Sequence, residues 1–94
     1  MLVMRMDVRR VIGNNVRKHR LAADLSQDAV AVRMGVDRAY ISALELGRRN
    51  PTAVTLWHTA QALGVKVVEL LEEPDDIPTL APPAKKRASK KPPL

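Results

Sequence analysis

A chain of 94 residues with net charge +6, no Phe, no Cys, one Trp and one Tyr is sized for a single domain whose core must be aliphatic. The lack of cysteine excludes a disulfide framework and thiolate metal sites, and is compatible with a reducing cytoplasm. The start, MLVMRMDVRR, is a broken apolar run without a small-residue cleavage site, and nothing approaches the roughly 18 apolar residues of a membrane span; a cytoplasmic protein with no membrane partner is expected.

In chain order, Asp7 to about Ala23 reads as a first helix, with Val8, Ile12, Val16, His19 and Ala23 at three- or four-residue spacing and Arg9, Arg10, Arg17 and Lys18 largely off that stripe. Ser26 is a good N-cap for a second helix, Gln27 to Met34, with Asp28 in its positive first turn. Its apolar face is Val30, Ala31 and Met34, and Gly35 ends it. Asp37 is expected to cap a third helix, Arg38 to Leu46, closed by Gly47. After the Asn50-Pro51 turn, Thr52 caps a fourth helix, Ala53 to Leu63, with Leu56, Ala60 and Leu63 on one face. A last short helix spans about Val67 to Glu72. No alternating strand pattern competes, so the fold class is all-α with five helices.

From Pro74 onward the chain holds six of its seven prolines and few large apolar side chains, too little to offset the entropy of ordering. Residues 74–94 are therefore expected to be a disordered Pro/Lys-rich tail, following a folded domain over 8–73. Charge is uneven along this plan. A basic front is followed by Glu69, Glu72, Glu73, Asp75 and Asp76, and then by the tail cations Lys85, Lys86, Arg87, Lys90 and Lys91. A polyanionic partner fits that distribution better than uniform solubilisation does. The tail itself is either a second, mobile DNA anchor or a solubilising extension.

Two short helices joined through Gly35-Val36-Asp37 match a helix-turn-helix unit over about 27–46. On a wheel at about 100° per residue, Asp37, Ile41, Leu44 and Glu45 share one side of the third helix, and Ala39, Ser42, Ala43 and Leu46 share the other. Ile41 and Leu44 are the scaffold-facing pair. The opposite flank is small and nearly uncharged, which lets a helix enter a groove about 12 Å wide without clashing.

Residues 12–71 resemble the Cro/CI-type helix-turn-helix family of phage repressors and xenobiotic-response-element-like regulators. The resemblance rests on the joint order of Ile12-Gly13, Arg17, Arg20, Leu25-Ser26-Gln27, Ala31-x-x-Met34-Gly35-Val36, Tyr40-Ile41-Ser42, Leu44-Glu45, Gly47, Asn50-Pro51 and Ala62-Leu63-Gly64-Val65. It implies a compact lambda-repressor-like DNA-binding domain and a transcriptional regulator of double-stranded DNA, acting as a repressor on a palindromic operator.

Roles follow position by position. Arg38, Ala39, Ser42 and Ala43 match the base-facing positions; Arg38 would fork to a guanine, Ser42 would bond base edges, and the two alanines either offer methyls or are plain helix formers. Family members with glutamines at those alanine positions have more direct readout, so part of the specificity is expected from DNA shape. Gln27 matches a phosphate-contacting position, its alternative being a plain first-turn residue. Arg48, Arg49 and Asn50 are phosphate candidates in the following loop, with Arg17 a weaker one. Tyr40 either packs its ring beside the helix or gives its hydroxyl to a phosphate. Arg20 and Glu45 match a buried ion pair between first and third helices, and Glu45 also falls on the inward side of the wheel.

The family often dimerises near its last helix, which implies a homodimer on two half-sites. Trp57 is then a lid over the last helix or, with Val68 and Leu71, a dimer contact; Val65 and Leu70 likewise close the core or meet the twin. An enzyme reading finds no support. His19 and His58 lie in different helices without metal spacing, and neither a Gly-rich phosphate loop nor a nucleophile elbow is present. No cofactor, metal site or catalytic residue is expected, and His19 is a core or edge histidine. The block DRAYISALELGRRNP also resembles controller proteins of restriction–modification systems, which both activate and repress. A toxin-binding antitoxin is a further alternative; polymerase is the other protein partner considered.

Overall fold

The computed structural model describes residues 7–74. Within them the chain forms five helices, α1 (Val8–Ala22), α2 (Gln27–Met34), α3 (Arg38–Glu45), α4 (Ala53–Leu63) and α5 (Val67–Leu70). The tail expectation from residue 75 onward lies outside the described residues. Helix starts follow the capping chemistry. Asp7, Ser26 and Thr52 accept from the backbone N–H of Arg9, Ala29 and Thr55 respectively, each satisfying a donor that the first helical turn leaves free. Arg9 also donates two side-chain bonds to Asp7, which with the backbone bond hold the Asp7 carboxyl down at about 2.

Asp37 departs from expectation. It holds the extended N-cap conformation of α3, but its side chain makes no capping bond.

The ends of α1 to α4 are each set by a left-handed residue, Asp24, Gly35, Gly47 and Gly64. Gly35, at φ +71°, lets Val36 N–H reach Ala31 C=O at 3.0 Å while its own N–H reaches Val32 C=O at 3.2 Å. The crossed pair satisfies two orphan carbonyls and turns the chain sharply into α3. The same crossed pair closes α3 and α4. At α3 it places Arg48 N–H on Ala43 C=O at 2.9 Å, so the basic loop starts from a fixed point on the helix it follows.

α1 packs against α3, α4 and α5, and α2 bridges α3 and α4. The core is aliphatic as composition requires: Ile12, Val16, Val30, Ala31, Ile41, Leu44, Ala60, Leu63 and Leu70 are buried, with Leu25, Met34, Tyr40, Leu56, Val65 and Val67 packed against them. The expected stripe of α1 holds at Ile12 and Val16 and fails at its ends. Val8 is exposed and Ala23 lies beyond the helix, whereas Val11, Ile12, Gly13, Asn15, Val16 and Arg20 are buried. Packing between partners on more than one side widens the buried arc, and half of it is polar or glycine, which an apolar stripe does not register. His19 sits at the edge, half-buried, with its Nε2 enclosed and unpartnered.

Gly13 explains how closely α1 meets α3. A Cβ there would lie 2.5 Å from Leu44 C=O oxygen and 2.7 Å from that of Glu45, distances backbone atoms relieve only by moving the helix. Gly13→Ala is therefore expected to lower unfolding free energy by about 1–3 kcal/mol through forced displacement. Urea denaturation checks this; a neutral or stabilising result would mean α3 is free to slide.

α5 is shorter than expected, ending at Leu70 with Leu71 as its cap position. Leu70 is fully buried and Val65 partly so, which assigns both to the core.

Candidate nucleic-acid interface

The inward side of α3 is fixed by burial and by charge. Ile41 and Leu44 have no exposed surface. Beside them Glu45 accepts from Arg20 along one edge of the guanidinium, Nε to Oε2 and Nη2 to Oε1, the second at 3.0 Å. Arg20 Nη1 also donates to Leu25 C=O at 2.9 Å. The adjoining carboxylate raises the Arg20 pKa still further above its ordinary value. This forked pair ties α1 to α3, as the resemblance implied, and its 7% and 8% exposures leave it nearly dry.

With those residues turned inward, the opposite flank is presented outward. Arg38 and Ala39 are exposed, Ser42 and Ala43 half-exposed. A concavity along this flank is lined by Gly35, Val36, Asp37, Ala39, Tyr40, Ala43 and Arg49. The helix is about 10–12 Å across with its side chains, and its small outer residues keep it within the width of a major groove.

The basic loop does not hang free of the helix. The Arg49 guanidinium carbon stands 4.7 Å over the centre of the Tyr40 ring, a cation–π contact of about 0.5–1 kcal/mol at an exposed site. Tyr40 thus does pack its ring, and it packs it under Arg49. A second depression continues from this stack along Arg48, Asn50, Pro51, Thr52 and Thr55. Thr52 and Thr55 escape a sequence reading as site residues: their role as helix cap and first-turn residue is visible there, their place beside the basic loop is not. Sequence spacing carries no signal for that, because the loop path sets it.

Other expected site residues are placed less simply. Gln27 is half-buried, and its Nε2 donates to Glu45 Oε1 at 3.1 Å. One of its two amide hydrogens is so engaged. Arg17 is exposed on α1. Trp57 is 56% exposed, so it is not a lid over α5; Val68 and Leu71 are exposed as well.

The helix-turn-helix family profile matches residues 16–70. The chain belongs to the Cro/CI-related helix-turn-helix family. It is a DNA-binding transcriptional regulator, of a type that is not a known enzyme family. This helix-turn-helix protein is 47% identical over 73 residues to the HTH-type transcriptional regulator y4dJ of Sinorhizobium fredii, covering 78% of this chain and 95% of the relative. Among solved structures, the hypothetical transcription factor NHTF from Neisseria is 34% identical with a TM-score of 0.70, over 81% of this chain and 92% of that one. The restriction–modification controller protein C.AhdI from Aeromonas hydrophila is 35% identical with a TM-score of 0.63, over 66% and 94%.

Proposed function

We propose that this regulator acts as a homodimeric repressor. Each copy of α3 lies in the major groove of one half of a palindromic operator. The observation that carries the reading is the outward flank of α3, small along Ala39, Ser42 and Ala43 and edged by Arg38 and the Arg48–Asn50 loop. Arg38 and Ser42 read base edges, Ala39 and Ala43 meet thymine methyls, and the modest number of polar readers leaves a share of specificity to DNA shape. Gln27, Tyr40, Arg48, Arg49, Asn50 and Arg17 hold phosphates and set the register.

Trp57, Val68 and Leu71 form the twin contact: three large apolar side chains on touching helices or their ends are exposed at 56%, 59% and 41%. Association there places two recognition helices on half-sites about 34 Å apart. Residues 8–73 act as the domain, in the cytoplasm, and occupancy of the operator either shuts polymerase out or meets it. No helix among the described residues is long and apolar enough to cross a membrane.

Selection of bound fragments from random duplex DNA at stated salt, paired with sedimentation of the free protein, tests this. A palindromic motif bound by a dimer is expected. Binding without preference over scrambled competitor would overturn the readout, and a monomer on and off DNA would overturn the dimer.

A second reading is a restriction–modification controller, which both activates and represses. It is supported by the similarity to C.AhdI and by 39% identity over 66 residues to the control protein C.SmaI of Serratia marcescens. A footprint that raises transcription at one occupancy and lowers it at another would select this reading.

The tail cations Lys85 to Lys91 strengthen DNA attraction without adding sequence preference. Ending the chain at Pro74 is expected to flatten the dependence of log affinity on log salt, by about 0.9 for each phosphate the tail neutralises. An unchanged slope would make the tail a solubilising extension.

A further inference from the structure

Asn15 lies in the middle of α1, away from the recognition flank, and is 8% exposed. Its side-chain amide spends both hydrogens on carbonyls far along the chain, donating to Leu70 C=O at 3.0 Å and to Glu72 C=O at 2.8 Å. Those two carbonyls bracket Leu71.

The segment they belong to is short. α5 has four residues, a single turn, far too short to persist alone. At its start Glu69 accepts from Lys66 N–H at 2.9 Å, and Leu70, with no exposed surface, and Val67, partly buried against the core, seat the turn. Both lie before Leu71 and leave the chain beyond Leu70 unfixed. The last carbonyls of a helix have no partner within it, and here Asn15 supplies one from another helix. Its two bonds, on either side of Leu71, fix the backbone there and set where Leu71 points.

We propose that Asn15 is the positioning residue for self-association. By clamping the end of α5 it holds Leu71, at the end of the turn that bears Val68, in the arrangement that a second copy of this chain recognises. This rests on the homodimer reading above.

The test uses the full chain. Sedimentation equilibrium gives the dimer Kd of the wild type, Asn15→Ala, Asn15→Asp and, as a core control on the same helix, Ile12→Val. Asn15→Ala is expected to weaken the dimer at least tenfold, and Asn15→Asp further, since its carboxylate faces two carbonyl oxygens. Hydrogen exchange should speed up at residues 70–72 and stay slow in α2 and α3. Ile12→Val is expected to lower Tm while leaving Kd unchanged.

A wild-type Kd in Asn15→Ala, or an equal loss in Ile12→Val, overturns the role of Asn15. A wild type that is monomeric at every concentration overturns the dimer reading itself. Should both Asn15 variants fail to fold, NMR of the wild type below its dimerisation range decides. Slow exchange of the Asn15 side-chain amide protons upholds the clamp in the monomer, and exchange at the solvent rate overturns it.

Discussion

Alanine at position 45 is expected to lower the unfolding free energy by about 3–5 kcal/mol, the cost of leaving one partner of a buried pair without the other. Glu45 receives two N–H groups from one edge of the Arg20 guanidinium and one hydrogen of the Gln27 amide, so α1 and α2 lose a shared acceptor on α3 at once. Arg20 would remain charged, because its pKa is held above an already high ordinary value and the loss of Glu45 does not bring it near neutrality. Its only other side-chain bond runs to Leu25 C=O. For a domain of this size about 1 kcal/mol moves the melting temperature by some 4–8 °C, so a fall of more than ten degrees is expected in thermal denaturation. Glu45→Gln keeps an acceptor and should fall between wild type and alanine, which separates hydrogen bonding from charge. Base preference of the folded fraction should not change, since Glu45 faces the scaffold. An unmoved melting curve would show that the pair does not hold α1 to α3. Replacing both members by apolar residues of matching volume is a different experiment and is expected to be near neutral.

What the sequence made legible and what it did not divide along a physical line. The helix boundaries around Ser26, Gly35, Thr52 and Gly64 follow from local chemistry, a side-chain acceptor or a left-handed glycine, and the structure has them there. The inward turn of Ile41, Leu44 and Glu45 follows from helical period alone. The full buried arc of α1 does not, because beside Ile12 and Val16 it includes Gly13, Asn15 and Arg20. Each is inside for a tertiary reason: a close backbone approach, two distant carbonyls, and a carboxylate on another helix. Hydropathy scores all three as surface. Asp37 shows the converse: the right residue type at the right position makes no capping bond, since a cap residue contributes a preference and not a contact. The Arg49–Tyr40 stack depends on the course of a loop, and Trp57 falls at the edge of a core stripe where α4 leaves it outside.

Arg38→Ala should weaken binding to the selected operator by about 1–3 kcal/mol, roughly fivefold to 150-fold, and relax preference at one base pair. Arg38 opens α3 on the exposed flank. Among the described residues it forms no ion pair; the two that exist join Arg9 to Asp7 and Arg20 to Glu45. Its guanidinium is therefore available to fork onto guanine O6 and N7. Stability should stay within about 0.5 kcal/mol, as for other surface replacements, so any weakening of binding reports the interface. Arg48→Ala is the necessary contrast. A phosphate contact carries no sequence information, so its removal should lower affinity by a similar factor on every duplex and reduce the salt slope by about 1. Competition against operators altered one base pair at a time separates the two patterns. If Arg38→Ala also weakens all sequences alike, Arg38 is a backbone contact. Direct readout then falls to Ser42 and the two alanine methyls, and the rest of the preference must come from how readily the operator adopts the bound shape.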